Sequence, residues 1–183
     1  ELASKLSADN VPHTYSKYRD SPGIAIVKAI QDANTKIHNR GMANADFAGM
    51  GTTTSVMVLL PQGAMVAHVG DSRVYRLRRR QQLDQLSFDH SLVWELEARG
   101  KLGEMELAGQ VPKNIITRSL GPAPEVEVDL EGPYDVEPGD IFLLCSDGLS
   151  GQVDDPEIGA VLASMPPGEA GQALIDLSNL RGG

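Results

Sequence analysis

Ala64-Met65-Val66-Ala67-His68-Val69-Gly70-Asp71-Ser72-Arg73-Val74-Tyr75-Arg76-Leu77-Arg78 passes from an apolar run, through Gly-Asp-Ser, into strict alternation of apolar and basic side chains. A short apolar run bounded by turn residues reads as a buried strand, and the alternation after it as a strand with one solvated face. Upstream, Thr52 to Leu60 is rich in Thr and Val, which suit a pleated surface, and Pro61-Gln62-Gly63 turns it into the run. Downstream, Leu83 to Phe88 supplies a fourth strand. Four strands on tight turns predict an antiparallel meander.

The first forty residues read as helix, with Ile24, Val27, Ile30, Ala33/Asn34 and Ile37 on one stripe at three- and four-residue spacing. Ser21-Pro22 marks a start, with a capping hydroxyl and a proline in the first turn, and Gly41 an end. Past the meander, Asp89 to Gly100 is predicted helical, with Asp89 as its cap and Glu95→Arg99 and Glu97→Lys101 in support. Residues 101–114 form a mixed excursion. Glu125 to Leu130 alternates and predicts a half-buried strand with an acidic face, while Ile141-Phe142-Leu143-Leu144-Cys145 predicts a fully buried one. Two helices follow. One opens at Asp155-Pro156-Glu157 and buries Ile158, Val161 and Leu162; the other carries Ala170, Ala173, Leu174 and Leu177. This order favours α+β, with helices packed outside antiparallel sheets, as a single domain over residues 1–183 without repeats or linkers.

The 183 residues are 41% hydrophobic and 22% charged, enough for a core and ordinary for a soluble domain. A formal charge of −9 argues against nucleic acid, because the only basic cluster, Arg76-Leu77-Arg78-Arg79-Arg80, reads as one strand face plus a turn. A single cysteine, Cys145, excludes an internal disulfide and fits a reducing, cytoplasmic setting. No apolar run reaches the roughly 18–20 residues of a membrane span, so no membrane contact is expected from this chain. Glu1 is not a natural start, which leaves upstream targeting open.

Two places share one design. In Val66-Ala67-His68-Val69-Gly70-Asp71-Ser72 and in Phe142-Leu143-Leu144-Cys145-Ser146-Asp147-Gly148, an apolar strand ends at an aspartate flanked by Gly and Ser. A buried strand is stiff, so it presents the carboxylate at the sheet's end, and glycine lets backbone turn sharply or approach a ligand. If the two strands are neighbours, Asp71 and Asp147 converge. Converging carboxylates repel, and a hard divalent cation is the usual compensation. Oxygen ligands with several waters suit Mg²⁺ or Mn²⁺ rather than Zn²⁺. Gly-Asp-Ser and Asp-Gly are also common turn sequences in which aspartate bonds its own backbone. Both readings stand at this point.

Other chemistries fit less well. A cysteine-based phosphatase needs arginine six residues after its nucleophile, where this chain has Gly151. Gly70-Asp71-Ser72-Arg73-Val74 lacks the closing glycine of a nucleophile elbow, and Gly49-Met50-Gly51 precedes no Gly-Lys-Ser/Thr. His13 and His38 read as surface residues, His68 as a satisfied interior histidine, and Trp94 with the other aromatics as core. No histidine spacing supports zinc.

Five motifs occur in order: Gly49-Met50-Gly51-Thr52-Thr53, Ala67-His68-Val69-Gly70-Asp71-Ser72-Arg73, Asp89-His90-Ser91-Leu92-Val93, Ile116-Thr117-Arg118-Ser119-Leu120-Gly121 and Leu144-Cys145-Ser146-Asp147-Gly148-Leu149. Together they resemble the consecutive signatures of PP2C-type (PPM) metal-dependent serine/threonine protein phosphatases, the bacterial branch most closely. The resemblance implies a four-layer α-β-β-α sandwich of two antiparallel sheets flanked by helices, incomplete here at both ends. It implies two Mn²⁺ or Mg²⁺ ions, with a third and weaker site, and a bridging water that attacks phosphorus in line without a phosphoenzyme. Asp147 looks like the aspartate of the main metal pair, and Asp71 like the one that shares the weaker ion with it. Gly148 offers metal-adjacent backbone; Ser72, Ser146, Asn114 and Arg118 look like supports. Residues 96–114 match a substrate-touching flap, and phosphorylated proteins are the implied partners.

Family members also carry an Asp-Gly-Met-Gly-Gly-His segment and a later Asp-Asn, and this chain starts just past the first and stops just before the second. The expectation is an active parent phosphatase and an inactive fragment, with open sheet edges inviting self-association. The alternatives are a noncatalytic phosphatase-like module that binds phosphoproteins or acts as a scaffold, and a plain α+β domain whose aspartates only make turns.

Overall fold

The structure is a computed structural model that describes residues 1–18, 20–79, 82–101, 103, 112 and 115–183. Two helices open it, α1 (Leu2–Tyr15) and α2 (Pro22–Ala43). α2 buries Ala25, Ile26, Ala29, Ile30, Ala33, Asn34, Ile37 and Gly41. The stripe is rotated from the predicted one, because small alanines bring the backbone close to its neighbours and Ile24 is left 73% exposed. Gly41 does not end the helix; it admits the Phe47 carbonyl, which would lie 3.0 Å from a Cβ there. His38 is tied down rather than free at the surface, its Nδ1 lying 2.8 Å from the Gly121 carbonyl.

The strands are β1 (Thr54–Leu60), β2 (Gly63–Val69), β3 (Arg73–Arg78), β4 (Gln82–Gln85), β5 (Asp129–Tyr134) and β6 (Ile141–Cys145). They form two antiparallel sheets, ordered β1-β2-β5 and β4-β3-β6. The predicted four-strand meander is therefore two hairpins in different sheets. The chain crosses between them at Gly70-Asp71-Ser72, and Gly70 makes this possible: its φ is +115°, and any Cβ would run into Thr53.

Three separate cores follow from strand alternation. Ala67 and Val69 pack with Val11, Ile26, Ile30 and Ile37 under α1 and α2. Val66, Val74, Leu86 and Phe142 fill the space between the sheets. Tyr75 and Leu77 pack under the last two helices, α5 (Asp155–Ser164) and α6 (Pro167–Leu180), against Ile158, Leu162 and Leu174. Helices, sheet, sheet, helices: the four layers expected from the family resemblance are present.

Shorter helices among the described residues include α3 (Leu92–Ala98) and α4 (Asp147–Ser150). Asp89 does not cap α3. Ser91 does, accepting from the Trp94 N–H at 3.3 Å, while Asp89 is taken by Arg73 at 2.6 Å. Trp94 is not core either: it sits against Phe88 and the two are 38% and 43% exposed. β5 begins at Asp129 rather than Glu125, since Val126 and Val128 pack into the helix-side core without joining a ladder. β6 is half-buried, not fully buried; it lies at a sheet edge, and Leu144 is 43% exposed. Arg76 and Arg78 on β3 are neutralised by Asp84, Asp135 and Asp140, so these two members of the basic cluster form a strand face closed by ion pairs. Among the described residues no helix is long and apolar enough to cross a membrane.

Candidate metal centre

β3 and β6 pair with Arg73 opposite Cys145. Asp71 lies two residues before this pair and Asp147 two residues after it, close enough for the charge of Asp147 to act on Asp71. The strand beside β6 is β3, which Asp71 introduces, and not β2, which it follows, so the neighbour suggested by the sequence pattern is corrected. Burial, and then the charge of Asp147, push the Asp71 carboxyl above the usual carboxylate range, with Asp89 adding to the effect. Arg73 works against it, but its guanidinium forks onto Asp89 through Nε at 3.0 Å and Nη2 at 2.6 Å. Among the described residues, neither Asp71 nor Asp147 takes part in an ion pair. A facing carboxylate pair with only oxygen donors and no cation fits Mn²⁺ or Mg²⁺.

Ser72 braces the crossing: its Oγ lies 2.8 Å from Thr53 Oγ1, and its carbonyl accepts from Ser55 Oγ at 2.9 Å. Ser146 leads into α4, whose first turn holds Asp147 and Gly148. Beside these lies a cleft of about 450 Å³ bordered by Ser7, Thr53, Ser55, Ser72, Leu144 and Ser146. Asn114 lies outside the described residues, as does most of the predicted flap.

A second constellation escaped the sequence. His68, His90 and Asp129 gather with ligand atoms within 4.8 Å of one another. His68 and Asp129 are cross-strand partners on β2 and β5, and the His68 and His90 rings stack at 4.9 Å. His90 Nδ1 accepts the Gly70 N–H at 2.9 Å, which leaves the ring proton on Nε2, 3.0 Å from Asp129 Oδ2. Arg118 Nη1 reaches Asp129 Oδ1 at 2.5 Å. Burial pushes the Asp129 carboxyl up, yet hydrogen bonds from His90 and Arg118 outweigh it and hold the group below its usual range.

His68 Nε2 lies 2.6 Å from the Phe88 carbonyl, while its Nδ1 is buried without a partner. The interior histidine is therefore only half satisfied, and burial lowers its pKa so that it stays neutral. This cluster is not a good cation site: both His90 nitrogens are engaged, and Arg118 already neutralises Asp129. No sequence spacing announces it, because its members come from β2, the α3 approach, residue 118 and β5; only the inward parity of His68 with Val66 hints at it.

Compared with known proteins, the chain matches the family model described as protein phosphatase 2C over residues 2–121. A protein phosphatase 2C-type protein of Streptococcus pyogenes is 42% identical over 159 residues, 86% of this chain and 63% of its own length. The chain spans about three-fifths of the length of the curated relatives it matches. The Mycobacterium tuberculosis serine/threonine phosphatase PstP/Ppp superposes with a TM-score of 0.87 and 31% identity, over 99% of this chain and 76% of that one. The catalytic domain of PstP in complex with 2 manganese ions gives 0.79 and 29%, over 99% and 75%.

Proposed function

The chain belongs to the protein phosphatase 2C family, and from that premise we propose that it contributes to metal-dependent hydrolysis of phosphoserine and phosphothreonine in proteins. The observation that carries this reading is the unpaired carboxylate pair, Asp71 facing Asp147 at the β3–β6 end. Asp71 and Asp147 would hold Mn²⁺ or Mg²⁺ between them, with Gly148 backbone beside it. When bound, such an ion lowers the pKa of coordinated water and offsets charge on the phosphoryl oxygens.

The chain's own residues supply placement. The Gly70 crossing and the Ser72–Thr53 contact fix Asp71. The α4 turn presents Asp147. Cys145 is not a rival nucleophile, since burial pushes its thiol up to about 11; an unpaired thiol of this kind fits a reducing, cytoplasmic compartment. Phosphorylated proteins are the proposed partners.

Two carboxylates are too few to hold two ions tightly. We therefore expect these 183 residues by themselves to release phosphate from a phosphothreonine peptide at the background rate. Extended to the length of its relatives, the chain should release phosphate well above background with Mn²⁺, and Asp147→Ala should abolish that release. Equal rates for the extended protein and its Asp147→Ala variant would refute the assignment.

A further inference from the structure

We propose, on the premise that Asp71 is a cation ligand, that His90 is the positioning residue that sets it, by clamping Gly70 and tying it to residues 115–118. Gly70 is held at both of its backbone groups by this one residue. Its N–H donates to His90 Nδ1 at 2.9 Å, and its carbonyl accepts the His90 N–H, also at 2.9 Å. The peptide that delivers Asp71 therefore takes its orientation from His90, at a position where no side chain is sterically admitted.

The clamp is itself anchored. The far ring nitrogen meets Asp129 Oδ2 at 3.0 Å, and Arg118 Nη1 lies beside both, 3.1 Å from that nitrogen and 2.5 Å from Asp129 Oδ1. His68 stacks on the ring, held by the Phe88 carbonyl, and blocks it from swinging. His90 is 7% exposed, so water does not compete freely for Nδ1. Its carbonyl accepts the Thr117 N–H at 2.9 Å, and Leu92 N–H reaches the Ile115 carbonyl at 3.0 Å. A single residue thus joins the Asp71 turn to residues 115–118 through backbone on one side and ring on the other. Displacing that segment would pull on Gly70.

The ring has two separable jobs, and amide side chains separate them. Asn places an acceptor where Nδ1 was; Gln reaches Asp129 from the place of Nε2 but leaves the Gly70 N–H unpaired. Mn²⁺ binding to the 183-residue chain, read from the electron paramagnetic resonance signal of the free ion, is compared with hydrogen exchange at the Gly70 amide. His90→Asn should keep Mn²⁺ affinity within about threefold and keep Gly70 protected. His90→Gln should lose about tenfold in affinity, the scale for groups that orient a metal ligand, and expose Gly70 to exchange. Faster Gly70 exchange in His90→Gln with unchanged affinity would overturn the proposal. If His90→Gln does not fold, His90→Asn decides: a tenfold loss with Gly70 still protected overturns it, and retained affinity supports it. Asp71→Asn separates the premise. Should that variant bind Mn²⁺ as the wild type does, the cation role itself fails and the positioning role falls with it.

Discussion

Two acidic centres lie either side of Gly70, and they are built in opposite ways. Asp129 sits among His90, Arg118 and a stacked His68, and its charge is fully answered, which pulls its carboxyl down in pKa despite burial. Asp71 faces Asp147 with its nearest arginine committed to Asp89, and its carboxyl is pushed up. The first centre is closed and rigid; the second stores repulsion that an external cation can relieve. The two are adjacent, and the satisfied cluster holds still what the unsatisfied pair would otherwise push apart.

Gly70→Ala breaks both centres at once and should have the largest effect. The backbone there is at φ +115°, and the added Cβ would overlap Thr53. Destabilisation of about 2–4 kcal/mol is expected by denaturant unfolding, the scale of positive-φ strain plus a steric clash. A change below about 0.5 kcal/mol would mean that the crossing relaxes easily and that Gly70 transmits nothing between the two centres.

How far these centres were legible in the sequence follows from what holds each one. Asp71 and Asp147 are marked locally, by apolar strands ending in Gly and Ser. The same pattern names the wrong neighbour, because Asp71 lies between β2 and β3 and only the topology says which strand meets β6. The His68–His90–Asp129–Arg118 cluster has no linear mark at all; cross-strand register and a return of the chain assemble it. Asp89 before a helical pattern is a favourable cap residue and loses to a tertiary partner, since a forked bond to Arg73 is stronger than a bond to one amide. Leu144 read as core, and its exposure comes from β6 lying at an edge, which composition does not encode.

Arg118→Ala opens the closed centre alone. It removes the 2.5 Å bond to Asp129 and leaves His90 as that carboxylate's side-chain partner. Losing one hydrogen bond to a charged, half-buried group costs about 1–3 kcal/mol. The sign with pH is fixed by the direction of the shift. Asp129 titrates lower in the folded chain than unfolded, so its contribution is present above the ordinary value of 3.8 and is lost as pH falls through the folded one. Arg118→Ala should therefore flatten the acid side of the stability curve while lowering its plateau. An acid limb identical to wild type would show that Arg118 does not support Asp129.

Asp71→Asn tests the open centre and should have the smallest effect, in the opposite direction. Here the folded carboxyl titrates above its ordinary value of 3.8, so the ionised form is the disfavoured one. The penalty is absent below that value, grows as pH rises through the folded pKa, and stays above it. Without metal, the variant should match the wild type in acid and be more stable near neutral pH. A gain on the order of 1 kcal/mol would appear as about 2–4 °C in Tm at this chain length. Mn²⁺ should then raise the wild-type Tm and leave the variant's almost unchanged, because binding to the folded state stabilises it only where the ligand set is intact. A gap between the two proteins that is the same at every pH would trace to packing at the Gly70 crossing. Charge repulsion between Asp71 and Asp147, the property that sets this pair apart from the Asp129 cluster, would then be absent.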